Sequence, residues 1–249
     1  MRLAHLASAA LLLTACGGQS VTWSEIVYTD APLAPRESLR GVSGPVYDRC
    51  IASLRIAGDS GVPAIAAWWT VRSDSSAVLM TSRVVSGGSW SAPVVADSTD
   101  RGTRGCGRPP PAISVDPVSG SAQLAYFLEP ASGGGVFFAH SMDSGSTWHA
   151  PIPIVFGRHP ARASVASRGD RVAVAYEDPN AEQPLIDVAL STSMGHIFED
   201  RVLASSPNGR ARQPVVRLTG DSVHVWWSEY SPNPAVSATR PRYRAAKWK

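Results

Sequence analysis

Short apolar runs recur along the chain, and each ends in large aromatic residues: Ile65-Ala66-Ala67-Trp68-Trp69, Leu124-Ala125-Tyr126-Phe127, Val172-Ala173-Val174-Ala175-Tyr176 and Val223-His224-Val225-Trp226-Trp227. Runs of this length, bounded by turn residues and rich in Val and aromatics, predict buried strands rather than helices. Taking Trp69, Tyr126, Tyr176 and Trp227 as equivalent positions, the strands repeat at intervals of 57, 50 and 51 residues. A turn signal precedes each one: Gly58-Asp59-Ser60-Gly61, Asp116-Pro117-Val118-Ser119-Gly120, Gly169-Asp170 and Gly220-Asp221.

Within each period the pattern predicts three further strands. An earlier strand is opened by Arg49, Arg108, Arg162 or Arg212; a third resembles Val136-Phe137-Phe138-Ala139-His140 or Ile186-Asp187-Val188-Ala189-Leu190; a fourth follows an aromatic, as in Trp148 to Val155. Four short strands in a unit of about 50 residues are the pattern of β-propeller blades. The blades are expected at about 46–101, 102–157, 158–209 and 210–249, all within one domain over 22–249.

The segment joining the third and fourth strands carries a more specific signal. Ser141-Met142-Asp143-Ser144-Gly145-Ser146-Thr147-Trp148 resembles the Asp-box of the sialidase-type (BNR repeat) propellers. Degenerate copies lie at Ser82 to Trp90 and at Ser191 to Phe198, in register with the strand period. Physically the box is a hairpin staple: the Asp143 side chain can accept backbone N–H groups across the turn, Gly145 permits positive φ and Trp148 buries against the blade, with Ser141 and Thr147 completing the motif. A structural role is therefore expected for these five residues.

The fourth unit ends at Lys249 before its own box. Thr22-Trp23-Ser24-Glu25-Ile26-Val27 reads like the strand that follows a box, so residues 22–30 are expected to supply the missing strand of the last blade. The resulting fold class is an all-β propeller of four-stranded antiparallel blades, four in number and closed by strands from both termini. The alternative is an incomplete ring of the six-bladed form usual among catalytic sialidases, the family that this chain resembles.

Before the propeller, Met1-Arg2 is followed by an apolar run from Leu3 to Leu13 and then Leu13-Thr14-Ala15-Cys16-Gly17-Gly18. A lone early charge and a run too short to span a bilayer have the layout of a secretory signal over residues 1–15. Leu13-Thr14-Ala15-Cys16 resembles a bacterial lipobox, which implies lipid on Cys16, a tether over 16–21, and an exported protein held to the cell envelope through the membrane. Cys50 and Cys106 then form an even pair in an oxidising compartment, for which both a disulfide and two free thiols remain open.

Charge excludes one class of partner. The formal balance of +3 is slight, and the Arg residues form no continuous basic stripe, so nucleic acid is not expected.

Antiparallel alternation sorts the loops onto two faces. The boxes share one face, and the strand 2–3 loops share the other with the connections between blades. The latter face receives Arg49, Arg104, Arg108, Arg158, His159, Arg162, Arg210 and Arg212, together with Glu129, Glu177, Asp178 and Glu229. Recurrent arginines resemble the three with which sialidases hold a carboxylate, and a planar guanidinium suits that ligand. The competing reading makes Arg108, Arg162 and Arg212 partners of Glu129, Glu177 and Glu229 at the blade entrances.

Catalysis has weaker support. The Arg-Ile-Pro motif of catalytic sialidases is not matched; the nearest string, Leu54-Arg55-Ile56-Ala57, lacks the Pro. Tyr126 and Tyr176 occupy the repeated aromatic position, where packing explains them. Glu177 and Asp178 are the candidate carboxylates, but as neighbours on a strand end they diverge. His5, His140, His149, His159, His196 and His224 show no metal-ligand spacing, and no cofactor or metal is implied. The expected function is a binding or interaction module for a protein, acidic or glycan ligand. The alternatives are a sialidase-like glycoside hydrolase and a structural or assembly factor of the envelope.

Overall fold

In a computed structural model, the structure is described for residues 21–29, 50–58, 61–230 and 239–248. Cys16, Arg49 and the signal, tether and lipidation expected near the N-terminus lie outside these residues. Two short strands come first, β1 (Val21–Trp23) and β2 (Val27–Tyr28). The first blade contains β3 (Arg55–Ala57), β4 (Ile65–Val71), β5 (Ala77–Arg83) and β6 (Val94–Asp97). The second contains β7 (Ala112–Val115), β8 (Ala122–Leu128), β9 (Gly135–Ser141) and β10 (Ile152–Phe156). The third contains β11 (Ala163–Arg168), β12 (Arg171–Glu177), β13 (Ile186–Ser191) and β14 (Asp200–Leu203). The fourth contains β15 (Ala211–Thr219), β16 (Ser222–Tyr230) and β17 (Thr239–Trp248). Each of the first three blades is a four-stranded antiparallel sheet in chain order.

The last blade is completed from the other end of the chain. β1 pairs with β17, Val21 opposite Trp248 and Trp23 opposite Ala246, and β2 pairs further along the same strand. Val21 is 1% exposed, so the N-terminal strand is part of the core and not an appendage.

Burial along the strands shows which blades have neighbours. β8 and β9 are buried at every residue, and β12 at all but its first, because the second and third blades are covered on both faces. β16 alternates: Val223, Val225 and Trp227 pack towards the third blade, while His224 and Trp226 on the opposite face are only partly covered. Apolar cores accordingly fill three junctions, between the first and second blades, the second and third, and the third and fourth. Among the described residues no such core joins the fourth blade to the first.

Polar staples cross the same three junctions. The Trp69 indole N–H donates to the Pro109 carbonyl and the Trp148 indole N–H to Thr81 Oγ1. Gly169 N–H donates to Asp116, and Val216 N–H to Ser164 Oγ. Cys50 and Cys106 form a disulfide that joins the approach to the first blade to the approach to the second.

The Asp-box folds as its chemistry requires. Asp143 Oδ1 accepts the Thr147 N–H at 2.9 Å and the Ser141 hydroxyl at 2.7 Å, while Oδ2 accepts the Thr147 hydroxyl at 2.7 Å. Gly145 has φ of +81°, and an added Cβ would press on Ile65. In the third blade, where Ser193 replaces the Asp, the Ser193 hydroxyl accepts the Ile197 N–H instead.

Candidate functional site

The inner strands of all four blades begin around one cavity of about 530 Å³. Arg55 comes from the first blade, Pro110, Pro111 and Ile113 from the second, Arg162 and Ser164 from the third, and Gln213 and Pro214 from the fourth. Its mouth is on the face of the inter-blade connections, which the strand 2–3 loops share: Asn180 Nδ2 donates to the Phe156 carbonyl, and His159 N–H to that of Pro179. Of the side chains lining the cavity, Arg55 and Arg162 carry charge, both positive, and no carboxylate lines it. Arg55 is held by donation to the Ala52 and Leu54 carbonyls. Arg162 is exposed; its backbone is engaged by Glu177, while its guanidinium has no partner among the described residues.

Glu177 positions this wall. The residue is 7% exposed, and its carboxylate accepts two backbone N–H groups, from Gln213 at 2.9 Å and from Arg162 at 3.3 Å. Gln213 sits at φ of +58°, an unfavourable conformation for a residue with a Cβ, and the Glu177 bond helps to hold it. One buried carboxylate thus sets the start of two neighbouring inner strands.

Beside it, between the third and fourth blades, lies a second cavity of about 320 Å³ lined by His159, Glu177, Asp178, Glu182 and Arg212. Asp178 accepts the Asn180 N–H at 2.9 Å. Nearby, Asp187 on β13 is pushed up to about 6 by burial and by the charge of Asp178, although it lines neither cavity.

The expected ligand residues therefore divide by environment. Arg162 lines the central cavity; Glu177, Asp178 and Arg212 line the second. Arg158 and Arg210 are exposed on the connections and line neither. Arg108 is corrected to a buried brace: its side chain and that of Asp100 are fully covered, they form an ion pair, and the guanidinium also donates to the Gly102 and Gly105 carbonyls. Glu129 is held in a two-point ion pair by Arg104, at 2.7 and 2.9 Å, and Glu229 pairs with Arg242. The pairing of Arg108, Arg162 and Arg212 with these three glutamates is thereby also corrected, since Glu129 and Glu229 take other arginines and Glu177 takes backbone. Tyr126 is 1% exposed and donates to Asp97 at 2.8 Å; burial first, and then Asp97, drives its hydroxyl well above the ordinary tyrosine value.

Sequence reasoning passed over two features. Arg55 lacks the following Pro of the Arg-Ile-Pro motif, yet its place at the head of a first strand is the signal that puts it in the channel. His140, His149 and His196 are scattered in sequence, and the structure brings them together on the opposite face.

No protein-family model and no curated protein sequence matches the chain. Among solved structures, a Hadza microbial sialidase, Hz136, superposes with a TM-score of 0.51 at 16% identity, over 70% of this chain and 41% of its own. The likeness is one of fold, a β-propeller of four-stranded antiparallel blades. This propeller thus spans about two fifths of the length of that sialidase. Two further structures superpose with lower scores. A subtype N11 neuraminidase-like protein (H18N11) gives a TM-score of 0.46 at 10% identity, over 74% of this chain and 58% of its own. A structure described under the GH130 family of mannoside phosphorylases gives 0.47 at 8% identity, over 85% and 74%.

Proposed function

We propose that the propeller is a binding module whose central cavity takes the carboxylate of an acidic ligand, an acidic saccharide foremost. One observation carries this reading: arginines from two different blades line the mouth of a rigid channel that has no lining carboxylate. A guanidinium offers parallel donors that fit a carboxylate, and low-dielectric walls of Pro, Ile and Val strengthen the attraction. Binding rather than hydrolysis is favoured by the same wall, because glycoside cleavage, including the sialidase form with a tyrosine nucleophile, calls for a carboxyl acid/base at the ligand, and no carboxylate lines this cavity. Glu177, the carboxylate adjoining the cavity, has both oxygens committed to backbone N–H groups.

Titration of the full-length chain with uronic and sialic acids and with their neutral counterparts, followed by isothermal calorimetry, tests the reading. Saturable binding of the acids alone is expected, weakened roughly tenfold or more by Arg162→Ala, the value of a lost charge-assisted pair. Equal affinity for neutral and acidic sugars would sink it. Hydrolysis is the second reading, favoured by the raised Asp187 beside Asp178.

The module is further proposed to be exported and anchored by lipid on Cys16. Support comes from the Leu13-Thr14-Ala15-Cys16 string and from the Cys50–Cys106 disulfide, which suits an oxidising compartment. Radiolabelled fatty acid should enter the wild-type protein in a bacterial host and not the Cys16→Ser variant; equal labelling of both would refute the anchor.

A further inference from the structure

On the Asp-box face, away from the cavity mouth, the second and third blades bring three imidazoles together. His140 lies on β9, on the side that meets the third blade, with its ring 5.9 Å from that of Phe138. His149 follows the box tryptophan, and its backbone N–H donates to the His140 carbonyl at 2.9 Å. His196 belongs to the degenerate box of the third blade. Ring centroids are 4.3 Å apart for His140 and His149, 4.5 Å for His140 and His196, and 6.2 Å for His149 and His196. A ring nitrogen from each lies within 4.8 Å of those of the other two.

A glycine makes this approach possible. Gly195 has φ of +87°, and a Cβ there would fall 2.3 Å from the Phe138 ring. The third-blade box therefore rests directly on the second blade, and the next residue, His196, lands against His140.

Two of the rings are prepared to donate lone pairs. His140 is 6% exposed, and its Nε2 is buried with no hydrogen-bond partner. His196 Nδ1 lies 2.7 Å from the Ser193 carbonyl. A carbonyl only accepts, so Nδ1 donates its N–H there and Nε2 is left as the ligating nitrogen. Such a backbone bond is the usual way a ligating imidazole is oriented.

An orphan buried nitrogen beside two further imidazoles, with no carboxylate among them, suits a borderline metal ion and not a hard one. Nitrogens around a tetrahedral zinc ion lie about 3.4 Å apart, given bonds of about 2.1 Å. The exposed rings of His149 and His196 can close that difference by side-chain rotation. We infer that His140, His149 and His196 form a zinc site that clamps the second blade to the third, with the fourth coordination position open to solvent on the box face.

The test uses the full-length chain without a polyhistidine tag, stripped by chelator and titrated with Zn²⁺ by calorimetry, with Ca²⁺ as the hard-cation control. One Zn²⁺ per chain should bind with micromolar affinity or tighter, Ca²⁺ should not bind at these residues, and Co²⁺ should show the intense visible bands of tetrahedral coordination. His149→Ala and His196→Ala, both at exposed positions, should each weaken binding roughly tenfold or more, while His224→Ala leaves it unchanged. Zinc should also raise the melting temperature of the wild type but not of the doubly substituted chain. Should His140→Ala fail to fold, the two exposed variants still decide the matter. No saturable binding, or binding that persists with the same stoichiometry in the double variant, would overturn the site.

Discussion

Asp143 is exposed, yet it organises a whole hairpin. Burial of the carboxylate acts to raise its pKa, but the N–H and hydroxyl of Thr147 and the hydroxyl of Ser141 outweigh it and hold the group at about 2. A carboxyl depressed in the folded state contributes stability that is fully present above its unfolded value and is lost as pH falls through the folded one. The unfolding midpoint in urea should therefore drop between about pH 4 and pH 2 in the wild type, and less so in Asp143→Asn. At neutral pH, Asp143→Ala should cost about 1 to 2 kcal/mol, towards the low end for charged hydrogen bonds because the site is exposed. The role of this residue was legible because its partners all lie within four positions of it in sequence. Those of Glu177 were not: its bond to Gln213 spans 36 residues and serves a strained backbone that no sequence pattern announces. Arg108 shows the same limit, since repetition placed it at a blade entrance but could not tell Asp100 from Glu129 as its partner.

At the scale of elements, the aromatic strands of the second and third blades were readable because their burial is nearly complete. A strand covered on both faces is apolar along its covered middle, as β8 is from Leu124 to Leu128 and β12 from Val172 to Tyr176. The edge strands were readable only through the repeat. β1 has three residues, and nothing in Val21-Thr22-Trp23 alone marks a strand; its likeness to the segment after Asp143 placed it beside β17. Val21 sits in the core shared by the third and fourth blades, so Val21→Ala should cost about 1 to 2 kcal/mol in chemical denaturation. Val21→Asp should go further and release β1, leaving the long β17 as an open edge, and size-exclusion chromatography should then show self-association. A monomeric Val21→Asp protein of unchanged stability would mean that β1 does not complete the sheet.

Across the whole molecule, three junctions share one construction, an apolar core with polar staples at its ends. The disulfide adds a covalent link at the junction of the first two blades. Cys50 and Cys106 are 56 residues apart in sequence, and closing a loop of that size stabilises by about 4 kcal/mol through the unfolded chain. Replacing both by Ser should lower the unfolding free energy by up to that amount, and non-reducing peptide mapping should recover the two cysteines in one fragment pair. The central cavity is likewise a property of the whole, since each blade supplies part of its wall and no segment of sequence describes it. Its arginines were legible as a recurring type but not as a set, because only the fold separates Arg162 in the channel from Arg108 in the core. The claim that this channel binds an acidic ligand without cleaving it is tested most directly by titrating the full-length chain with fluorogenic sialosides and uronides, reading binding from the polarisation of the bound ligand and turnover from the released fluorophore. Saturable, Arg162-dependent binding with no release is the predicted result; steady release that is abolished in Asp187→Asn or Glu177→Gln would contradict it.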